Sequence, residues 1–347
     1  MKNLFANFIN KAPFHFLFRW WNRHTDRSNL GIVVSLHRVI DAAGLATGRH
    51  LNDFIEISGA KLEKTIQDLI KLDAEFISLN TLNGYLEDNT ISKKLAVHLS
   101  FDDGYLDNFT LAYPILKKYN IPFSVFIASE LIDEEEPFLW WYMIEAIINH
   151  KLPVNFDKYL FAITAGDYET QSGQAIFAKF RAFVIENIDK DKHYFVETIG
   201  NYAARLPSFP LPKMMSWKDI NTMLSSGLCE LGVHTVSHAR FRNITDEQKK
   251  YEILHCRERI ELNTQIQSPY FAFPYGSRED IGDTTGLRNL LNECGIELSF
   301  TTESGELNEE TDRLFIPRIF LNEATNMYTL KSRLNGYYQR SNNKIKQ

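Results

Sequence analysis

The feature that most constrains the fold is an alternation that starts at Gly31, where short β-branched or apolar runs begin to alternate with amphipathic stretches. This alternation is typical of β/α units around a parallel sheet. The strands that we expect cover residues 32–36, 76–79, 95–101, 122–128, 228–233, 270–273, 298–302 and 315–321. They predict an α/β fold, a distorted (β/α) barrel of about seven strands, whose reactive side chains lie at the carboxyl ends of the strands.

The alternation is interrupted between residues 134 and 215, where the sequence is helical and polar without convincing strands. A helical insertion or lid explains the interruption. The predicted order is an N-terminal amphipathic segment, a first barrel part, the insertion, a second barrel part and a polar C-terminal tail, at residues 1–30, 31–133, 134–215, 216–325 and 326–347. Ser216 is expected to cap one helix after the insertion, and Thr245 with Gln248 to form the capping box of the next.

The first thirty residues combine aromatic side chains with basic ones, such as Trp20 and Trp21 beside Arg19 and Arg23. Such a segment can lie in a membrane interface, and it can equally be a first helix packed on the barrel. Polar residues interrupt the apolar stretch before it reaches the length of a secretion signal. We therefore expect a cytoplasmic protein, with peripheral contact at the inner membrane face through residues 1–30 as an open alternative.

Charge and cysteine content exclude several functions. The net charge of -6 over 347 residues comes without a long basic run, so nucleic acid is not an expected partner. Cys229, Cys256 and Cys294 are widely spaced and odd in number, which argues against a disulfide framework and against a thiolate zinc site.

Asp102 and Asp103 directly follow an expected strand and precede Gly104, which permits a sharp exit into a helix. Adjacent carboxylates at a strand end point in different directions, so one can bind a cation while the other faces a substrate. Taken alone, the pair is better explained as a cap of that helix. We interpret Asp107 and Asn108 as serving the first turn of the same helix.

His234 and His238 also follow a strand, and their spacing lets both imidazoles reach one ion if the chain turns. Histidine pairs of this kind are usually unrelated to metals. Together with one aspartate, however, they form a three-ligand set that leaves room for water and substrate, as catalytic metal sites require.

These motifs resemble those of the polysaccharide deacetylases with a NodB homology domain, also called carbohydrate esterase family 4. Residues 101–104 (FDDG) are similar to the first family motif, residues 234–238 (HTVSH) to the second, and residues 273–276 (FPYG) to part of the third. Residues 215–227 are also similar to members from surface-polysaccharide gene clusters. The resemblance covers roughly residues 32–321 without the insertion.

The resemblance implies a distorted barrel in which Asp103, His234 and His238 bind a divalent metal, commonly zinc, with cobalt or nickel as alternatives. Asp102 would be the general base, which suits the chemistry, because a carboxylate beside the metal can take a proton from the attacking water. The backbone N–H of Tyr275, which follows Pro274, would hold the oxyanion together with the metal.

Two departures from the family pattern concern the groups around Asp102. Ala272 stands where the family usually has the arginine that orients the base, and Arg318 on a later strand is a candidate replacement. The late histidine that supplies the general acid is absent. His37 resembles the first-strand histidine of a subgroup in which the acid comes from the start of the domain. The alternative is a structural histidine.

The leading hypothesis is hydrolysis of an N-acetyl group on an amino sugar of a polysaccharide or of its lipid-linked precursor, with a nucleotide sugar also open. A second hypothesis is an inactive metal-binding barrel that recognises glycan or acts as a scaffold. A third retains catalysis but removes a different short acyl group. Trp140 and Trp141 could stack on a sugar, although anchoring the insertion explains them better.

Overall fold

The computed structural model describes residues 31–41, 44, 51–88, 95–207, 209, 211–308 and 310–325. The predicted membrane-contacting segment at residues 1–30 and the polar tail at residues 326–347 lie outside the described residues. Within the described residues, no helix is both long and apolar enough to span a bilayer.

The strands, in chain order, are β1 Gly31–Leu36, β2 Arg38–Ile40, β3 Glu56–Ser58, β4 Ala74–Phe76, β5 Leu95–Asp103, β6 Phe123–Ile127, β7 Val154–Phe156, β8 Phe161–Ile163, β9 Cys229–Val233, β10 Tyr270–Ala272, β11 Leu298–Phe300 and β12 Ile319–Phe320. Seven of them form one parallel sheet in the order β11-β10-β9-β6-β5-β1-β12, and β4 pairs with the start of β5. Their side chains are buried on both faces, which explains why their sequences are apolar runs rather than alternating patterns.

The sheet curves until its two edges meet. Phe300 at one edge forms a parallel bridge with Ile316, and Ile319 a few residues later pairs with Val34 of β1. The segment 316–320 therefore joins β11 to β1 and closes the ring. The predicted β/α barrel of about seven strands is confirmed.

The helices are α1 Gly59–Lys71, α2 Leu79–Glu87, α3 Tyr113–Lys118, α4 Ser129–Asp133, α5 Trp140–Asn149, α6 Ala165–Thr170, α7 Gly173–Asn187, α8 Lys192–Ala203, α9 Trp217–Leu224, α10 Asp246–Thr264, α11 Arg278–Ile281 and α12 Thr284–Glu293. A π-helical turn, Asn108–Ala112, precedes α3. The predicted caps are present: Ser216 starts α9, and Thr245 with Gln248 forms the capping box of α10. Helices α1, α3, α9, α10 and α12 place apolar faces against the sheet and bury the main core.

The segment between residues 134 and 215 contains helices α5 to α8, but it also contains a two-stranded antiparallel hairpin, β7 with β8. The expectation of a segment without strands was wrong here, because each strand has only three residues and shows no period in the sequence. The segment packs its own apolar cluster around Phe156 and Phe180. That cluster reaches the barrel through Tyr105, whose hydroxyl accepts a hydrogen bond from the indole N–H of Trp141.

Two expected strands differ from those observed. The strand expected at residues 76–79 ends at Phe76, because Ser78 accepts a hydrogen bond from the Thr81 amide and starts α2 instead. The strand expected at residues 315–321 pairs regularly only over its last residues, since Pro317 has no N–H to donate and interrupts the ladder.

Candidate active site

Residues at the carboxyl ends of four parallel strands line one cavity of about 370 Å³. These are His37 after β1, Asp102 and Asp103 at the end of β5, His234 after β9, and Tyr275 after β10. Because neighbouring parallel strands end at the same rim, residues far apart in the sequence meet there. The cavity is the place where the site residues expected from the sequence can act together.

Asp103, His234 and His238 converge at the floor of this cavity. The Nε2 atoms of His234 and His238 lie 3.4 Å and 3.3 Å from Oδ1 of Asp103. One ligand atom from each residue falls within 4.8 Å of the others. The other ring nitrogen of His234, Nδ1, lies 2.7 Å from the carbonyl oxygen of Ala272, which turns Nε2 toward the aspartate.

The three donors fit a divalent metal. Ligands of a tetrahedral ion with bonds of about 2.0–2.1 Å lie about 3.3–3.4 Å apart, and the two distances to Asp103 have this value. Oδ1 of Asp103 is buried and makes no hydrogen bond within the described residues. Two imidazole nitrogens with one carboxylate oxygen are a donor set typical of catalytic zinc, which keeps its fourth position open.

The electrostatics of the three residues agree with cation binding. Burial opposes ionisation of Asp103, yet the two imidazoles hold the pKa of its carboxyl well below the usual range. Burial likewise opposes protonation of His234, but Asp103 and Asp102 raise the pKa of its imidazole. The site therefore attracts positive charge, which a proton or a metal ion can supply.

Left-handed backbone at both motifs aims these side chains. Asp103 has φ 73° and His238 has φ 56°, conformations that non-glycine residues adopt at a cost of about 1–3 kcal/mol. Gly104 follows with φ 92°, and a β-carbon on it would lie 2.8 Å from the Ile132 side chain. Both imidazoles can reach one ion only if the chain turns after β9. This turn begins at Thr235, which has φ 70°.

Asp102 lies beside this set and is held by Arg318. Nη1 and Nη2 of Arg318 donate hydrogen bonds of 2.8 Å to the two carboxylate oxygens of Asp102, and both side chains are fully buried. Burial would raise the pKa of Asp102, but the guanidinium, together with His234 and His37, lowers it overall. Asp102 is therefore an ionised carboxylate in a fixed orientation.

The same guanidinium is fastened to the barrel. Its Nε donates to the carbonyl of Thr301, and Nη1 also contacts the hydroxyl of Ser100. Ala272 stands where the family usually has the arginine that orients the base. In this chain Arg318 supplies the guanidinium to Asp102 instead.

His37 faces the same cavity from β1. Its ring packs against Phe320 at 5.2 Å between centroids, and its Nδ1 has no hydrogen-bond partner within the described residues. Burial lowers the pKa of His37 more than Asp103 and Asp102 raise it. Burial therefore disfavours the charged form of this imidazole.

Comparison with known proteins decides the family. The family model described as polysaccharide deacetylase matches residues 89–155 and 174–299, which is more than half of the chain. The chain belongs to the polysaccharide deacetylase family. The resemblance drawn from the sequence motifs is thereby confirmed.

Individual members are more distant. A poly-beta-1,6-N-acetyl-D-glucosamine N-deacetylase of Staphylococcus aureus (strain MSSA476) is 31% identical over 121 residues, which cover 31% of this chain and 39% of that relative. Among solved structures, Streptococcus pyogenes deacetylase PplD in complex with acetate superposes with a TM-score of 0.57 at 15% identity, covering 87% of this chain and 96% of that one. IcaB from Ammonifex degensii superposes with a TM-score of 0.56 at 18% identity, covering 90% of this chain and 97% of that one. These structures share the fold of the deacetylase barrel.

The third motif of this family member forms a tight turn beside the metal ligands. Tyr275 has φ 61°, and its ring packs on His238 at 4.9 Å between centroids. The carbonyl of buried Pro274 accepts a hydrogen bond from the Gly276 amide, and the Thr302 hydroxyl donates to the carbonyl of Tyr275. The backbone N–H of Tyr275 has no acceptor within the described residues.

Asp107 and Asn108 have a different role from the one expected. Asp107 accepts hydrogen bonds from the Arg38 side chain and the Val39 amide, and Asn108 donates to the carbonyl of His37. The expectation that they serve the first turn of their own helix was wrong, because the π-helical turn directs both side chains toward β1 and β2. They therefore fix the backbone that carries His37.

The insertion of this deacetylase-family chain contributes Trp140, Trp141 and Arg181 to the cavity wall. Trp140 and Trp141 are buried in the apolar cluster of the insertion, as expected, and they also line the cavity. The Trp141 ring lies 5.6 Å from that of His238. Arg181 and, from the first barrel part, Asn52 also line the cavity, and neither could be predicted because neither belongs to a motif.

Proposed function

We propose that this chain is a metal-dependent hydrolase that removes N-acetyl groups from an amino sugar of a polysaccharide or of its precursor. The observation that carries the proposal is the position of Asp102. It is ionised, fixed by Arg318, and adjacent in sequence to a ligand of the candidate metal centre. The family membership and the N-deacetylase named among its relatives support the choice of substrate.

The chemistry follows from the positions of these residues. Asp103, His234 and His238 would hold a divalent cation, with zinc first and cobalt or nickel as alternatives. When bound, the cation supplies Lewis acidity toward the acyl oxygen and toward a water molecule. Asp102 accepts the proton of the attacking water, and the backbone N–H of Tyr275 donates to the developing oxyanion.

Departure of the sugar amine requires a proton donor, since an unprotonated amide nitrogen is a poor leaving group. Among the residues lining the cavity, Asp102, Asp103, His234 and His238 already have tasks as base or ligands. His37 is the remaining imidazole there, and its Nδ1 has no hydrogen-bond partner within the described residues. We assign it as the general acid.

The metal dependence is tested by acetate release from N-acetylglucosamine oligomers. We expect activity to disappear after dialysis against a chelator and to return with zinc or cobalt, because the cation is needed to activate water. Formate release from N-formyl oligomers is measured in parallel, and its rate is compared with that of acetate release to test the alternative acyl group. Full activity in a preparation shown to be free of metal would contradict the proposal.

The acid is tested by His37→Gln. We expect kcat for acetate release to fall about 100-fold to 10,000-fold, the usual contribution of general acid–base catalysis, with metal content unchanged. His255→Gln is the matched control, because His255 lies half-exposed on α10, outside the cavity, where it pairs with Glu258 and stacks on Tyr251. Wild-type kcat in the His37 variant would assign His37 a structural role.

The inactive-barrel hypothesis relied on the missing third-motif arginine and the missing late histidine. Arg318 supplies a guanidinium to Asp102, and His37 supplies an imidazole to the cavity, so both arguments for inactivity lose weight. A cytoplasmic location, a lipid-linked substrate and membrane contact through residues 1–30 remain parts of the proposal.

A further inference from the structure

One cationic side chain in the cavity wall has no counter-charge among the residues that the structure describes. Arg181, on α7 of the insertion, is partly buried and lines the same cavity as the candidate metal ligands. Its guanidinium carbon lies 5.0 Å from the ring centroid of Phe54. Within the described residues, the side chain of Arg181 makes neither an ion pair nor a hydrogen bond.

The acidic groups near Arg181 are all engaged elsewhere. Asp102 is paired with Arg318, and Asp103 contacts the two histidines. Asp280, whose charge favours protonated Arg181, accepts hydrogen bonds from Arg240 and Ser277 instead. No group of the described protein is left to neutralise the guanidinium at hydrogen-bonding distance.

The surroundings make this isolation costly. Arg181 is partly buried, so its charge is partly removed from water, and this burial lowers the pKa of its guanidinium. A charge that is partly removed from water is normally paired, because desolvation disfavours an unpaired ion. The other wall residues nearby are aromatic or uncharged, including Phe54, Trp140 and Asn322.

We propose that Arg181 binds an anionic oxygen group of the substrate, a carboxylate or a phosphate, while the N-acetyl group lies at the metal centre. A guanidinium presents its N–H groups in a planar fork that matches both oxyanions. The inference rests on the proposed function and narrows its substrate class to acidic N-acetylated glycans or phosphate-linked amino sugars. The cavity volume of about 370 Å³ is within the range of sites for small ligands.

Three probes test the inference on the full-length, zinc-loaded protein. Tetra-N-acetylchitotetraose is neutral, a hyaluronan tetrasaccharide carries carboxylates, and UDP-N-acetylglucosamine carries a diphosphate. Binding is measured by calorimetry and turnover by acetate release, for wild type, Arg181→Gln and Arg181→Lys. The two anionic probes distinguish a carboxylate from a phosphate as the natural group.

We expect Arg181→Gln to raise Kd and KM for at least one anionic probe about 10-fold to 100-fold more than for the neutral probe, as loss of a charge-assisted pair would. Arg181→Lys is expected to restore part of this difference, because it keeps the charge and loses the fork.

Lys179→Gln is the matched control. Lys179 lies on the same helix and rests on a phenylalanine ring, Phe161, in the same way as Arg181 rests on Phe54, but it is exposed outside the cavity. We expect Kd and KM for all three probes to be the same for this variant as for wild type. Thermal unfolding midpoints separate a loss of binding from a loss of folded protein.

The inference is wrong if wild type binds neither anionic probe more tightly than the neutral one. It is also wrong if Arg181→Gln weakens all probes equally, or if Lys179→Gln reproduces its effect. Binding of an anionic probe that depends on Arg181, without any acetate release, would instead contradict the proposed function and leave the inference standing.

Discussion

Replacing His238 by alanine is expected to lower the zinc affinity of the protein at least about 100-fold, since even the loss of a group that only hydrogen-bonds a ligand costs about 10-fold to 100-fold. His238 supplies one of the three donor atoms that converge within 4.8 Å. With two donors left, the site falls below the three protein ligands typical of catalytic zinc. Acetate release should fall in parallel at limiting zinc. The measurement is metal content after dialysis at defined free zinc, followed by the activity of the same samples.

The control for this variant is His255→Ala on α10, which should retain one zinc per chain and full activity. His238 is a better choice for the experiment than His234, because its side chain is 14% exposed and that of His234 only 2%. Truncation of His238 should therefore disturb packing less. If the His238 variant held zinc as tightly as wild type, the ligand assignment would be wrong.

The sequence was sufficient to locate the convergent site because parallel strands obey a simple rule. Once Asp103 and His234 were each placed after a strand, the carboxyl ends of those strands had to meet at one rim. Helix starts at Ser216 and Thr245 were also predictable, since capping is local. Both kinds of inference depend only on neighbouring residues and on a general property of the fold.

The parts that sequence could not place depend on packing between distant elements. The Arg38 side chain donates a hydrogen bond to Asp107, which lies 69 positions later in the sequence. No local sequence pattern distinguishes an aspartate in this role from one that caps a helix. The insertion brings Trp141 and Arg181 to the cavity only because its apolar cluster docks on Tyr105 and its neighbours. The short β7–β8 hairpin has too few residues to show a period.

Arg318 is intermediate between these cases. Its replacement of the third-motif arginine could be suggested from the sequence, but its contact with Asp102 spans 216 positions. The contact becomes available because the segment 316–320 closes the barrel and carries Arg318 into its interior. Pro317 interrupts strand pairing just before the arginine, so the local sequence weakens the strand signal where the side chain matters most.

Replacing Arg318 by methionine is expected to lower the free energy of unfolding by about 3–5 kcal/mol, the usual result of removing one partner from a buried ion pair. The carboxylate of Asp102 would remain in the barrel without its two hydrogen bonds from the guanidinium. Urea denaturation of the metal-free protein measures this loss without a contribution from zinc. Arg242→Met is the control, because Arg242 is 45% exposed and pairs with Glu279 at the surface, where an ion pair contributes about 0–1 kcal/mol.

A double-mutant cycle with Asp102→Asn then separates the ion pair from the packing of Arg318. If the charges stabilise each other, the double variant should be less destabilised than the sum of the single ones, by about 0.5–3 kcal/mol. Asp102→Asn alone should retain zinc, because Asp102 is not a ligand, while kcat falls about 100-fold to 10,000-fold through loss of the base.

Arg318→Met should also lower kcat at full zinc occupancy, since an Asp102 without its guanidinium is no longer fixed as an ionised base. Strict additivity of the two stability changes would mean that Arg318 acts in the barrel as a space-filling residue, and the orientation of the base would then have to come from elsewhere.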